Sequence, residues 1–249
     1  MNEIEKGIRM TAIEVENLVK NYGSIEALRG ISFAVGEGEI FGLIGPNGAG
    51  KTTALRVVST LLEITSGTVK VFGFDVKEDP EEVRKKISYL PEEAGAYKNL
   101  SGKEYLNFMA QFYTEGRNVR EMIETGILIS GLEDRISDKV NTYSKGMTRK
   151  LLVARALMME PPLAILDEPT SGLDVINSQE VRKIIKGFAR KGSTVLLSSH
   201  NMLEVEFLSD RVALIGEGQI LDSGSPAELK ERYTAQNLEE VFMEAVAHG

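Results

Sequence analysis

Short apolar runs of β-strand length, separated by glycine-rich turns, occupy the first part of the chain. The predicted strands cover residues 13–19, 31–35, 40–44 and 69–72. A Gly-Glu-Gly turn at residues 36–38 separates two of them. A helical pattern covers residues 51–62 and begins directly after a glycine-rich loop. This part of the sequence therefore predicts strands that alternate with at least one helix.

Helical periodicity dominates the middle of the chain. Ser101 and Glu104 have the spacing of a capping box in front of a first helix. Two further amphipathic helices are predicted at residues 122–132 and 147–159, and Pro161 and Pro162 end the second one. We therefore expect a helical subdomain at about residues 93–160.

Strands and helices alternate again after residue 162. The predicted elements are strands 163–166 and 194–198, helices 175–190 and 202–208, and a hairpin of residues 211–215 and 219–222. Such alternation predicts a mostly parallel sheet with helices on its faces. We expect an α/β fold in one domain over residues 1–249, with the helical middle inserted into it and a helical tail at about 233–249.

The composition is that of a soluble globular protein, with 42% hydrophobic and 27% charged residues among 249. No apolar run approaches the roughly 18 to 20 residues that span a bilayer, and residues 1–10 lack the apolar stretch of a signal peptide. The net charge of −8 argues against duplex binding, so no nucleic-acid partner is expected. With no cysteine and two histidines, disulfides and Cys-ligated zinc are excluded, and a histidine metal centre is disfavoured.

The glycine-rich loop carries a complete Walker A motif between a predicted strand and a predicted helix. It consists of Gly45, Pro46, Asn47, Gly48, Ala49, Gly50, Lys51, Thr52 and Thr53. Glycines let the backbone curl so that successive N–H groups point at one anion, and the helix N-terminus adds positive charge. We expect Lys51 to reach the β- and γ-phosphates of ATP and the Thr52 hydroxyl to bind Mg²⁺.

Two adjacent carboxylates end the apolar strand at residues 163–166. A buried parallel strand would deliver Asp167 and Glu168 to the carboxyl edge of the sheet, where ligands of such sheets bind. We expect Asp167 to hold Mg²⁺, usually through water, and Glu168 to polarise the attacking water as general base. Together with the Walker A motif, this strand predicts a P-loop NTPase.

Three further motifs resemble those of the ABC ATPase family. The segment 169–174, Pro-Thr-Ser-Gly-Leu-Asp, matches the family's D-loop at every position and ends in Asp174. His200 follows a predicted strand in the register of the switch histidine. Ser144 and Gly146 match the signature Leu-Ser-Gly-Gly-Gln, whereas Tyr143, Lys145 and Met147 depart from it. Ser and Gly before a helix are ordinary capping residues, so only the position between the other motifs favours a signature.

The resemblance covers about residues 13–224 and implies a fold and an assembly. The implied fold is a RecA-like P-loop NTPase core with an antiparallel β subdomain and an inserted α-helical subdomain. The implied assembly is a head-to-tail dimer, made from two copies or from this chain and a paralogue. Each ATP would be held by the Walker A loop of one chain and by Ser144, Lys145, Gly146 and Asp174 of the other.

Two more positions take roles from this resemblance. Tyr22 stands where the family stacks an aromatic ring on adenine, and the alternative is a half-buried tyrosine of a sheet. Glu92 stands where the family has a glutamine ligand of Mg²⁺, so it keeps the oxygen but adds a third acid near Asp167 and Glu168. Glu92, the Tyr143-Ser144 pair and the tail segment 238–242 resemble a drug- and sodium-exporter-like branch, although the tail is also an ordinary amphipathic helix.

These features predict an ATP-hydrolysing subunit that energises a separate integral membrane permease from the inner face of the cell membrane, as an exporter. One alternative is an ABC-family ATPase that acts on DNA or ribosomes. Such relatives carry coiled-coil insertions, zinc modules or tandem halves, whereas about ninety residues separate Lys51 from Ser144 without a heptad run. A second alternative is a regulatory module that holds ATP without turnover. Lys145 favours it, and the intact Lys51, Asp167, Glu168 and His200 oppose it.

Overall fold

Ten strands form two sheets, of four and six strands, in the computed structural model, which describes residues 10–113 and 118–248. The strands are β1 (Thr11–Tyr22), β2 (Ile25–Gly36), β3 (Ile40–Ile44), β4 (Ser66–Val71), β5 (Phe74–Asp75), β6 (Ile87–Leu90), β7 (Leu163–Asp167), β8 (Thr194–Ser199), β9 (Arg211–Gly216) and β10 (Gln219–Gly224). The helices are α1 (Lys51–Val58), α2 (Pro80–Arg84), α3 (Gly102–Ala110), α4 (Val119–Ser130), α5 (Lys145–Leu157), α6 (Val175–Ala189), α7 (Met202–Leu208), α8 (Pro226–Tyr233) and α9 (Leu238–His248).

The segment 1–9, which includes most of the expected charged start, lies outside the described residues, as does Gly249 at the end of the expected helical tail. None of the helices in the described ranges combines the length and apolarity needed to cross a bilayer.

The six-stranded sheet has the order β10-β9-β3-β8-β7-β6. All neighbours pair in parallel except β10, which forms an antiparallel hairpin with β9. Strands β3 and β7 are buried along their whole length, which agrees with sequences that are continuously apolar up to Asp167 at the end of β7. Because β8 pairs with both, the carboxyl ends of β3 and β7 meet at the same edge of the sheet.

Two apolar cores lie on the two faces of this sheet, as alternation along a strand requires. In β7, Leu163 and Ile165 belong to one core, and Ala164 and Leu166 belong to the other. The first core also holds α1 and the antiparallel sheet β2-β1-β4-β5, and the second holds α3, α4, α5, α6 and α7. The expected P-loop NTPase architecture, with an antiparallel β portion and a helical portion, is therefore confirmed.

Most predicted elements are present, but strands β5 and β6 and helices α2 and α8 were not predicted, and several element ends differ. The capping box is present, because the Ser101 hydroxyl accepts from the Glu104 N–H and the Glu104 carboxylate accepts from the Ser101 N–H. The helix expected at residues 51–62 ends at Val58, since Thr60 turns to a left-handed φ of 60° that no helix can continue. The strand expected at residues 13–19 continues to Tyr22 through an irregular register near Asn17.

Candidate nucleotide-binding and hydrolysis site

The Walker A loop fills the turn between β3 and α1, and its glycines are required by geometry. Gly50 has a φ of 106°, and a Cβ there would lie 2.8 Å from the Ala27 carbonyl oxygen. A Cβ on Gly45 would lie 2.0 Å from the Ile215 carbonyl oxygen of the neighbouring strand β9. A side chain at either position would push the loop away from the sheet. The loop is thus fixed in a curled conformation directly above the carboxyl edge.

Helix α1 begins at this loop with an open N-terminus. No side chain caps it, and its first turn carries no acidic residue. The first N–H groups of a helix have no intrahelical partner and form the positive end of the helix dipole. This end of α1 therefore presents free donors and positive potential, which suits a phosphate group.

Lys51, the first residue of α1, is a buried cation that bends back over its own loop. Its Nζ donates to the carbonyl oxygens of Gly45 at 2.8 Å and Pro46 at 3.1 Å. The same Nζ lies 3.4 Å from Oε1 of Glu168, which is also buried. A buried cation requires such partners. Lys51 is therefore held at the junction of the loop and the acidic end of β7.

Asp167 ends β7 with both carboxylate oxygens in hydrogen bonds. Oδ1 accepts from the Thr52 hydroxyl at 3.1 Å and from the Ser198 hydroxyl at 2.6 Å, and Oδ2 lies 3.4 Å from the Tyr89 hydroxyl. Burial, together with the negative charge of Asp167, raises the pKa of Tyr89 to about 12, so this phenol stays protonated and donates. Asp167 is consequently held in one orientation toward Thr52.

Glu168 turns the chain away from the sheet in a left-handed conformation with φ 48°. Its side chain is buried, with the residue 4% exposed. Oε2 lies 2.8 Å from Nδ1 of His200, whose ring is about half exposed. Within the described part of the chain, Oε1 accepts no hydrogen bond and has only the longer contact with Lys51. A buried oxygen of this kind is an available acceptor for a water molecule or ligand.

These groups surround a cleft of about 290 Å³. Its lining consists of Ala27, Asn47, Gly48, Gly50, Lys51, Thr52, Thr53, Glu92 and Glu168. Tyr22 is not part of this lining. Tyr22 is 44% exposed, and Nζ of Lys20 lies 5.2 Å from the centre of the Tyr22 ring. The structure thus brings together the Walker A loop, Glu92 and Glu168, and the adenine role of Tyr22 stays a prediction.

The signature residues and Asp174 of the D-loop do not line this cleft and lie at the N-termini of α5 and α6. The Ser144 hydroxyl caps α5 by accepting from the Met147 N–H. Asp174 caps α6, and hydrogen bonds from Asn177 hold the pKa of its carboxyl below the usual value. Gly146 packs so closely on Asn177 that a Cβ would lie 2.2 Å from that side chain. Within one chain, then, these residues do not complete the nucleotide cleft.

Lys145, which departs from the family signature, lies against the segment 169–174. A Cβ on Gly172 would lie 2.0 Å from Nζ of Lys145, so this amine rests directly against the D-loop. Lys145 also lines a second cavity of about 390 Å³, together with Glu92, Glu93 and Ser171. The extra cation is therefore placed beside the loop that follows β7.

Thr52, which lines the cleft, and Asp167, which accepts a hydrogen bond from the Thr52 hydroxyl, are adjacent oxygen ligands of the kind that a hard cation prefers. Across residues 10–113 and 118–248, however, no group of three or more His, Asp or Glu side chains could hold a metal ion. Glu92 and Glu168 both line the cleft, but no preformed cation cage joins them to Asp167 within the described residues. Oε1 of Glu92 instead lies 3.4 Å from the Ser171 hydroxyl. Its role toward Mg²⁺ stays a prediction.

Three residues of the site carry no motif. Ser198 could have been found from register, because it pairs with Asp167 across the parallel strands β7 and β8. Tyr89 lies on β6, the strand on the other side of β7, and finding it would have required knowing that these two strands are neighbours. Arg149 donates only to backbone carbonyl groups, which leave no signal in a sequence.

The chain is similar to several known proteins. Residues 28–171 match a family model described as ABC transporter. The linearmycin resistance ATP-binding protein of Bacillus subtilis is 35% identical over 244 residues, covering 94% of this chain and 78% of the relative. The daunorubicin/doxorubicin resistance ATP-binding protein of Streptomyces peucetius is 39% identical over 221 residues, covering 88% and 67%. A solved structure of an ATP-binding subunit of an ABC transporter superposes with a TM-score of 0.83 at 29% identity, covering 95% of this chain and all of that one.

Proposed function

Because this chain belongs to the ABC transporter family, on its drug- and sodium-exporter-like branch, we propose that it hydrolyses ATP to drive a separate membrane-spanning permease. The single observation that carries the proposal is the buried Glu168 carboxylate, which lines the cleft between Lys51 and His200 and whose Oε1 accepts no hydrogen bond from the described residues. The testing experiment is phosphate release by the purified chain with MgATP. No release above that of buffer would contradict the proposal.

Each residue of the cleft has a separable task in this reaction. The open N-terminus of α1 and the Walker A N–H groups bind the phosphates of ATP, and Lys51 reaches toward the β- and γ-phosphates. Oε1 of Glu168 accepts a proton from the attacking water, while His200 orients the carboxylate through Oε2. Thr52 and Asp167 are the residues that would hold Mg²⁺. When bound, Mg²⁺ supplies positive charge that offsets the charge of the phosphates.

A second chain completes the site in this proposal. Ser144, Lys145, Gly146 and Asp174 lie outside the cleft of their own chain, at two helix N-termini whose dipoles favour a phosphate. A head-to-tail dimer would bring them to the ATP bound in the other chain. The partner is a second copy or a paralogue, and ATP forms part of the contact between them.

The membrane partner is proposed to dock on an aromatic surface made by Tyr97, Phe108 and Phe112, next to Ala96. The three rings are exposed and in edge-on contact, with centroids 5.3 Å apart in both pairs. Large exposed aromatic groups of this kind mark interaction sites for another chain. The chain would thus work at the inner face of the cell membrane. The resistance functions in the relatives' names favour an exporter over the DNA- or ribosome-acting alternative.

Placing a charge on this surface should separate the two activities. We expect Tyr97→Glu, and Ala96→Glu beside it, to reduce transport by the assembled complex by roughly tenfold or more. Basal ATP hydrolysis should stay within about twofold, because neither residue lines the cleft. Transport into membrane vesicles and phosphate release from the same preparation measure both. Phe207→Glu, on an equally exposed ring of α7, is the control. Equal loss of transport and basal hydrolysis would mean damage to the fold or the cleft.

Glu92 should make the site more dependent on magnesium than a glutamine would. A carboxylate is a harder, charged ligand, and it adds repulsion that a bound cation relieves. We expect Glu92→Gln to flatten the dependence of both hydrolysis and nucleotide binding on free Mg²⁺, while hydrolysis persists. The measurement is a Mg²⁺ titration of phosphate release and of fluorescent-nucleotide binding. Glu93→Gln, at the neighbouring position outside this cleft, is the control. Superimposable curves would exclude Glu92 as a ligand in the working enzyme.

A further inference from the structure

Arg149 is a buried cation on α5 that the proposed reaction does not yet use. It is 7% exposed and lies one turn after the signature residue Ser144. Its guanidinium donates to three backbone carbonyl oxygens. The acceptors are Pro169 at 2.8 Å, Glu92 at 3.1 Å, and Glu168 at the shortest contact of the three. One side chain therefore joins the signature helix, the Glu92 loop and the turn that carries the candidate general base.

The guanidinium is suited to this position by its shape. It is planar and offers five donors in a fixed fork, whereas a lysine concentrates its donors on one atom. Burial lowers the pKa of Arg149 below its usual value, although the nearby charges of Glu92, Asp167 and Glu168 oppose that shift. The buried cation is stabilised by its three carbonyl acceptors and by these acids, because a buried charge requires such partners.

The contact with Glu168 falls on a backbone that needs support. Glu168 has a left-handed φ of 48°, a conformation that a non-glycine residue keeps only when its surroundings enforce it. Its N–H donates to the Ser198 hydroxyl at 3.0 Å, and its carbonyl oxygen accepts from Arg149 and from the Ser171 N–H at 3.1 Å. These hydrogen bonds fix the peptide groups on either side of the Cα, and of the two to the carbonyl oxygen, Arg149 supplies the one that comes from another element. The direction of the Glu168 carboxylate follows from that fixed backbone.

We propose that Arg149 is a positioning residue that holds the Glu168 turn in its strained conformation and links it to the Glu92 loop and the signature helix. The inference rests on the proposed role of Glu168 as general base. A displacement of the Glu92 loop or of α5 would change the support of the carboxylate. Arg149 itself touches neither ATP nor the attacking water in this proposal.

The test compares Arg149→Lys and Arg149→Gln with Lys150→Gln. Lys150 is the next residue of the same helix, and its side chain pairs with Glu180. The readouts are kcat and KM for ATP, the affinity for a fluorescent ATP analogue, and amide hydrogen exchange in peptides spanning residues 91–95 and 167–172. We expect Arg149→Lys to lower kcat by roughly 10- to 100-fold with KM and nucleotide affinity within about threefold. In Arg149→Lys, hydrogen exchange should rise in both peptides and stay unchanged around α1. Lys150→Gln should match the wild type in its kinetic constants, its nucleotide affinity and its exchange.

Three results would overturn the inference. One is a kcat of Arg149→Lys within about threefold of the wild type. Another is unchanged exchange in the two peptides. The third is a rise of hydrogen exchange throughout the chain, because a residue that only stabilises the fold would produce it. If Arg149→Gln fails to fold, the exchange of Arg149→Lys is the one that counts. If the wild-type chain itself releases no phosphate, the proposed function fails instead, and the exchange measurement alone decides whether Arg149 holds the two segments.

Discussion

Replacing Glu168 with glutamine should lower the rate of ATP hydrolysis by roughly 10² to 10⁴-fold, or about 3 to 5 kcal/mol of barrier, while ATP still binds. The substitution removes the proton acceptor but keeps the size of the side chain. Glutamine tolerates the left-handed φ of 48° about as well as glutamate, so the turn should persist. Phosphate release under saturating MgATP measures the first effect, and binding of a fluorescent ATP analogue measures the second.

The matched control is Glu180→Gln, which removes a carboxylate from the surface of α6. Neither Glu180 nor its partner Lys150 lines the cleft, so hydrolysis should be unchanged. Near-normal turnover in Glu168→Gln would remove Glu168 from the role of general base. The regulatory alternative, in which ATP is held without turnover, would be favoured if the wild type were as slow as the variant.

Replacing Lys51 with methionine should weaken ATP binding by roughly 10- to 100-fold, as expected for losing one or more charge-assisted hydrogen bonds to phosphate. Methionine approximates the length of the lysine stem, so the packing of the side chain changes little. The buried carboxylate of Glu168 loses its partner at 3.4 Å, so hydrolysis should fall further than binding. Titration of the fluorescent analogue and measurement of phosphate release separate the two losses.

A surface lysine provides the comparison for this variant. Lys191→Met removes a cation that is paired with Glu160 on the exterior, and its affinity for ATP should equal that of the wild type. Thermal unfolding of both variants shows whether the buried site has lost stability. An unchanged affinity in folded Lys51→Met would contradict the assignment of Lys51 to the phosphates.

The core of the site could be predicted from sequence because its signals are local. The Walker A glycines, Lys51 and the strand ending in Asp167 are each defined by residues close together along the chain. The parallel sheet then brings the two segments to one edge, as the pairing of β8 with both β3 and β7 requires. The fold class and the choice of Lys51 and Asp167 as candidate site residues therefore followed from spacing and period, whereas Ser144, Asp174 and His200 were assigned from the resemblance to a family.

Contacts between distant segments could not be predicted in the same way. Arg149 binds carbonyl groups, which every residue carries, and Lys145 packs on Gly172 through a contact that depends on the mutual position of two loops. The position of Glu92 depends on the path of the loop after β6. The sequence could therefore not show that Glu92 forms no preformed cation cage with Asp167 and Glu168 among the residues that the structure describes, or that its Oε1 lies 3.4 Å from the Ser171 hydroxyl. Helix α1 ended early because one left-handed residue, Thr60, outweighed a continuing helical pattern.

The claim that two chains share an ATP site is tested most directly by measuring the mass of the Glu168→Gln variant by light scattering, with and without MgATP. Loss of the general base should leave bound ATP unhydrolysed. Because ATP in a shared site is bound by the dimer, it shifts the monomer–dimer equilibrium toward the dimer by mass action. We predict a monomer without nucleotide and a dimer with MgATP at micromolar concentration, and a monomer in both conditions when Lys51→Met is added. A mass that is independent of ATP would contradict a site shared between two chains.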